Sequence, residues 1–365
     1  MNRIAALALF ACLPGTRAFA QDTAHVAHPV PNPAPIYLLA PTPVLGMHAF
    51  PSFPALSGYV SVRMTRTDGA TGFLLNRGRL TVQVGPKPFF GVKIQGDLSG
   101  AQVGKLKSDS TVTGFTLTDA YLQLVPPATW STKGSLLSQL HPAFIGGQFK
   151  TPFSLEYLTT FAALKTADRS QSVDRLSQKR DIGAMGQVGW GQYVTLSGAV
   201  VNGEGANATS NPDNRMMLLS RLTFTPIPIL ELSAKILNEG ADHAWGYDGR
   251  MLWRGLTVEG EGIYRKRPTS SAVYVDAGGG YALVAYKVLP WLEPVYKYDR
   301  YWDTRTTTTQ STVTSASTHS TWNVFGVNVL SKPEWLRLQL DWERRDVKPT
   351  PGRTDVYLAQ LIAIF

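Results

Sequence analysis

AFIGGQFKTPFSLEYL, residues 143–158, and DIGAMGQVGW, residues 181–190, frame the stretch on which the reading of this chain turns. Each flank alternates like a strand, but between them the period-2 pattern is lost. Five basic side chains collect there, Lys165, Arg169, Arg175, Lys179 and Arg180, against Asp168 and Asp174. A compact domain rarely carries so long a connection without a use for it. If both flanks are strands of a barrel, the segment is long enough to fold back into the lumen and narrow it, and Lys150 at its start would join its cations.

The chain start bears on that barrel. Residues 1–20 hold Arg3, an apolar run from Ile4 to Leu13, and Ala18-Phe19-Ala20, the form of a cleaved export signal. A buried N-terminal helix is the blander alternative, and Pro14-Gly15 would end it early. Cys12, the single cysteine, lies inside this signal, so the mature chain is expected to form no disulfide and no thiolate metal site. Residues 21–56 hold eight prolines and read as an extended lead-in. The remainder, 57–365, has no apolar run of about eighteen residues and therefore no transmembrane helix. An exported chain of this kind can still cross a membrane as a closed barrel. The net charge of +9 points to anionic partners, lipopolysaccharide and small solutes rather than nucleic acid.

Sixteen period-2 segments follow, near 57–67, 73–85, 88–98, 114–125, 142–150, 181–190, 191–202, 214–226, 229–238, 245–254, 255–265, 273–289, 291–303, 320–331, 334–346 and 354–365. Most have one apolar and one polar parity: Leu336, Leu338, Leu340 and Trp342 alternate with Arg337, Gln339, Asp341 and Glu343. Tight connections trade places with longer ones rich in Gly, Asn, Asp, Ser and Thr, the wiring of an all-β, closed antiparallel transmembrane barrel. Val125–Leu140 is the exception, with room for a short helix at 135–140. Thr304–Thr321 reads as a solvated outer loop. Trp190, Trp245, Trp253, Trp291, Tyr301, Trp302, Trp322 and Trp335 fall near strand ends, as aromatic girdles would. In this register Leu338 faces lipid and Gln339 faces water.

No H-E-x-x-H, G-x-S-x-G or phosphate-loop pattern occurs, and no histidines stand at metal-ligand spacing. No catalytic residue, metal or cofactor is expected. Gly278–Gly280 reads as a bend or a close strand contact.

GGQFKTPFSLEYLTT, followed by RDIGAMGQVG, resembles the phosphate-selective porin O and P family of Gram-negative outer membranes. Thr118-Asp119-Ala120-Tyr121, the strand from Asn76 to Val84 with Arg77 and Arg79, and the terminal Phe365 agree with it. The resemblance implies a sixteen-stranded barrel in the outer membrane, a homotrimer, a third outer loop folded inward, and passive conduction of small anions such as phosphate past arginines and lysines. By parity the wet face is nearly balanced. Its basic excess lies in Arg63, Arg77, Arg79 and Lys93 of the first strands and in the five cations of the connecting segment. Replacing Arg169, Arg175 and Arg180 by Gln is expected to lower anion preference. Two other readings stand beside this one: a barrel enzyme acting on lipid through His243 or His319, and a secreted β-sandwich that binds glycans.

Overall fold

The computed structural model describes residues 51–87, 89–98, 115–126, 140–191, 193–270, 272–309, 312–349 and 352–365. The first half of its strands are β1 (Ala55–Thr67), β2 (Ala70–Lys87), β3 (Phe90–Leu98), β4 (Thr116–Leu124), β5 (Leu140–Lys150), β6 (Arg180–Trp190), β7 (Val194–Val201) and β8 (Met217–Ile227). The second half are β9 (Leu230–Glu239), β10 (Asp242–Trp253), β11 (Leu256–Ser270), β12 (Val273–Tyr286), β13 (Leu292–Thr309), β14 (Thr312–Leu330), β15 (Leu336–Lys348) and β16 (Arg353–Ile364). Each strand pairs with its chain neighbours, and β1 pairs antiparallel with β16, so the sheet closes. One closed ring excludes the two-sheet sandwich. The export signal at 1–20, most of the 21–56 lead-in and the helix expected at 135–140 lie outside the described residues, although Leu140 itself opens β5.

Alternation sets the two faces. Along β9, Glu231, Ser233, Lys235 and Leu237 are buried, while Leu232 and Ile236 are exposed. A polar parity that is buried and an apolar parity that is exposed is the inverse of a soluble protein, and it fits a wall with lipid outside. At the seam, Gly58 and Phe365 exchange two backbone hydrogen bonds of 2.9 and 3.0 Å. The Phe365 ring lies over Gly58, where a Cβ would come 2.8 Å from the ring and 2.2 Å from the Arg79 carbonyl oxygen. The C-terminal strand thus closes the barrel against a position that tolerates no side chain.

Three expectations are corrected. Several outer connections are tight turns, at Asp68-Gly69 and Gly240-Ala241, because the strands themselves run on. The described residues of the tract expected as a loop at Thr304–Thr321 are strand: 304–309 end β13 and 312–321 open β14, with Thr304 and Ser317 hydroxyls bonded at 2.9 Å and Thr306 and Ser315 at 3.3 Å. Threonine is β-branched and favours extended backbone, and that preference outweighs the low complexity of the tract. Tyr301 and Trp322 are not girdle residues. Both are on the inward parity, Tyr301 buried and Trp322 lying 3.9 Å beneath the Arg345 guanidinium. Trp190, Trp245, Trp253, Trp291 and Trp335 are exposed as expected.

Candidate functional site

The connection between β5 and β6 breaks into short pieces, and serines cap its two helices. The Ser154 hydroxyl accepts from the Tyr157 N–H to start α1 (Leu155–Leu158), and the Ser170 hydroxyl accepts from the Val173 N–H to start α2 (Gln171–Leu176). A 3₁₀ turn, Phe161–Ala163, lies between them. Phe153, Val173 and Leu176 pack with Phe149, Met185, Leu219 and Leu237. The wall residues in this cluster occupy the polar parity yet are apolar, which prepares the inner side of β5–β13 to receive the segment. Gly279 serves the same end: a Cβ there would meet Ser172 Cβ at 3.1 Å and the Arg300 carbonyl oxygen at 2.4 Å.

Buried backbone groups need partners, and the barrel wall supplies them. Asp341 Oδ2 accepts from the Ala167 N–H and Asp299 Oδ2 from the Gln171 N–H, both at 2.7 Å. Glu261 Oε2 accepts from the Ser154 hydroxyl at 3.0 Å and the Glu156 N–H at 3.2 Å. In return Lys297 donates to the Asp168 carbonyl at 2.7 Å, Arg63 to that of Ala167 at 2.7 Å, and Arg265 to that of Leu176 at 3.0 Å. Arg337 and Gln339 both donate to Leu164 O, at 3.0 and 2.9 Å. Gln339 therefore has the expected inward direction but not the expected water, since it is fully buried between Leu164 and Gln360. Behind Glu261, Lys235 and Arg221 meet Asp248 at 2.8 and 2.6 Å, all four side chains buried. Within the segment, burial pushes the Glu156 carboxyl up to about 7, opposed by Lys297 and the Ser170 N–H.

The predicted cations divide. Lys165 pairs with Glu293 at 2.6 Å, Lys179 with Asp174 at 3.1 Å near solvent, and Arg63 with Asp168 at 2.7 Å. Arg175 lies 4.5 Å from the Tyr301 ring, on the β13 side. Lys150 donates to the Tyr157 and Leu158 carbonyls at 2.9 and 3.0 Å and so fixes the end of α1. The others gather where the segment meets β1–β6. Arg77 and Arg79 share Asp97, at 3.3 and 2.8 Å, and Lys93 and Arg180 share Asp119, at 2.9 and 2.7 Å. Arg169 has no carboxylate within ion-pair reach among the described residues; it rests on the rings of Tyr157 and Phe161 at 5.0 and 5.9 Å, and burial lowers its pKa. Four cations thus share two carboxylates, and Arg169 adds a fifth beside them.

Aromatic faces take up the difference. Arg180 stands 5.5 Å and Lys150 5.6 Å from the Tyr157 ring, Arg77 4.4 Å from Phe161, Arg79 5.5 Å from Tyr59 and Lys93 5.7 Å from Tyr121. Tyr59 and Phe161 stack at 6.2 Å. A ring quadrupole holds a cation without cancelling its charge, so this corner of the lumen keeps a positive field. Sequence reasoning missed Tyr59, Tyr121, Tyr157 and Phe161 as parts of the site, and missed the inward Arg250 and Arg345. The four-residue spacing of Tyr157 and Phe161 beside the basic residues was the available signal.

Residues 142–262 match the family model described as phosphate-selective porin O and P. Among solved structures, the outer membrane channel DcaP of Acinetobacter baumannii is similar with a TM-score of 0.58 and 12% identity, covering 86% of this chain and 97% of that one. OmpF of Salmonella typhi, in complex with daunomycin, gives 0.59 and 9%, with coverage of 86% and 97%. A loop L8 deletion mutant of OmpT, an outer membrane protein of Vibrio cholerae, gives 0.58 and 10%, with coverage of 87% and 100%. At such identities the likeness is one of fold. No curated protein matches the chain. The resemblance to the phosphate-selective porin O and P family is thus carried by residues 142–262, on a sixteen-stranded barrel of the outer-membrane porin fold.

Proposed function

We propose that this outer-membrane channel is a passive, non-catalytic diffusion pore that prefers small anions, phosphate among them, and that it acts as a homotrimer after loss of residues 1–20. The segment between β5 and β6 is its constriction. The observation that carries the reading is the set of five cations, Arg77, Arg79, Lys93, Arg169 and Arg180, around Asp97 and Asp119. In a narrow passage walled by protein of low dielectric, an uncompensated charge of this kind raises the local concentration of anions. The substitutions to test are not those read from sequence, since Arg175 lies on the Tyr301 ring and Arg180 holds Asp119. Arg77→Gln, Lys93→Gln and Arg169→Gln together leave one cation on each carboxylate and remove the excess. In planar bilayers the triple variant is expected to move the reversal potential in a potassium chloride gradient toward zero and to weaken block of chloride current by phosphate. An unchanged reversal potential would remove this corner from the selectivity mechanism.

A further inference from the structure

The outer wall carries a feature that conduction does not use. Register places Tyr296, Phe325, Trp342 and Tyr357 in one row across β13–β16, and Arg66 of β1 pairs with Tyr357 at its end. Tyr296 and Phe325 lie 5.0 Å apart and Phe325 and Trp342 5.3 Å apart, so the rings form a continuous rail. The next row toward the chain termini is lower, because Ala359 sits between Met64 and Leu340. Rail and step enclose an open groove of about 680 Å³. Phe325, Leu340 and Tyr357 in it are exposed, on the parity that faces lipid.

Arg66 lines the polar end of the groove, and Arg344 stands just outside its lining. Arg66 is exposed, and Arg344 lies on the same outward parity one row beyond Trp342. Neither has an ion-pair partner among the described residues, and Arg344 Nε is buried without a hydrogen bond. Asp355, which pairs in register with Arg344, instead accepts from Trp342 Nε1 at 3.1 Å. Both arginines stand toward the rim opposite the termini, the rim that carries the longer connections and faces outward in such barrels. An apolar groove with one guanidinium at its outer end and a second a row beyond matches an acyl chain that carries a phosphate.

We propose that the groove is the docking site of one acyl chain of a phosphorylated outer-leaflet glycolipid, its phosphate held between Arg66 and Arg344. The test is native mass spectrometry of the full-length protein released from detergent with hexa-acylated lipid A, beside the same lipid stripped of its phosphates. One phosphorylated lipid is expected to stay bound per chain. Arg66→Ala with Arg344→Ala should reduce its retention about thirtyfold, two surface charges each contributing about fivefold. Ala359→Phe should fill the groove and abolish retention, with heat-modifiable gel mobility confirming that each variant has folded. Equal retention of the stripped lipid overturns the proposal, since the arginines would then recognise nothing. So does a change of oligomeric mass in Ala359→Phe with lipid retention intact, which would make the groove an interface between copies.

Discussion

On the flank of β1–β6, Arg77, Arg79, Lys93 and Arg180 divide two carboxylates among them and lean on aromatic faces. On the flank of β8–β15 the carboxylates are spent instead on the segment's own backbone, Asp341 on Ala167 and Asp299 on Gln171, or on cations such as Lys165 and Arg345. A count of charges makes the lumen nearly neutral. The difference between the flanks shows why that count misleads: an acid that accepts backbone N–H groups is consumed in holding a loop, whereas an arginine on a ring keeps its field.

The sharpest way to break this contrast is to remove the segment. Deleting residues 155–176 is expected to raise single-channel conductance severalfold. It should also shift selectivity toward cations, because Asp299 and Asp341 lose the donors that now occupy them. A deletion that leaves the reversal potential unchanged would place selectivity in the wall alone.

Leu338→Arg and Gln339→Arg address the wall of the β8–β15 flank, where carboxylates latch the segment's backbone. Leu338→Arg puts a charge into lipid and should cost roughly 2–4 kcal/mol of barrel stability, measured by urea titration of the folded fraction. Gln339→Arg should also be damaging, through the segment: it forces a longer cation into the fully buried place between Leu164 and Gln360. Its signature is altered conductance in a barrel that still inserts.

Glu156 gives the latched flank a pH signature. Its carboxyl titrates near 4.5 when free and near 7 in the fold. Between those values the folded protein holds a proton that the unfolded chain has lost, so stability is greatest below the window and falls as pH rises through it. The loss is at most about 3 kcal/mol, and Glu156→Gln should flatten that slope while the bond from Ser170 N–H survives. A slope that persists in the variant assigns it to other groups.

Tyr157 tests the basic flank on a finer scale. Tyr157→Phe keeps the ring under Lys150, Arg169 and Arg180 but removes the hydroxyl that accepts from Arg180 at 2.6 Å. It should cost about 1 kcal/mol and leave the reversal potential in place, whereas Tyr157→Leu should change both. The smallest effect is expected from Lys179→Gln, whose exposed pair with Asp174 is worth well under 1 kcal/mol. A large shift in selectivity from that substitution would relocate the narrow point.

The sequence by itself determined the barrel, because a wall between lipid and a polar interior imposes a period of two on every strand, and that period is local and countable. It also marked the segment, by the loss of that period, and placed Arg63, Arg77, Arg79 and Lys93 on the inner face. What only the tertiary structure decided is which cations remain uncompensated. Arg175 and Arg169 are six residues apart in one basic run, yet one rests on Tyr301 across the barrel and the other between Tyr157 and Phe161. The same holds for the tract of threonines, whose composition suggests a loop until its partner strand is known. Pairing across a closed sheet joins residues such as Arg63 and Asp168, 105 positions apart, and an ion pair or a ring contact depends on that distance in space, which no local pattern encodes.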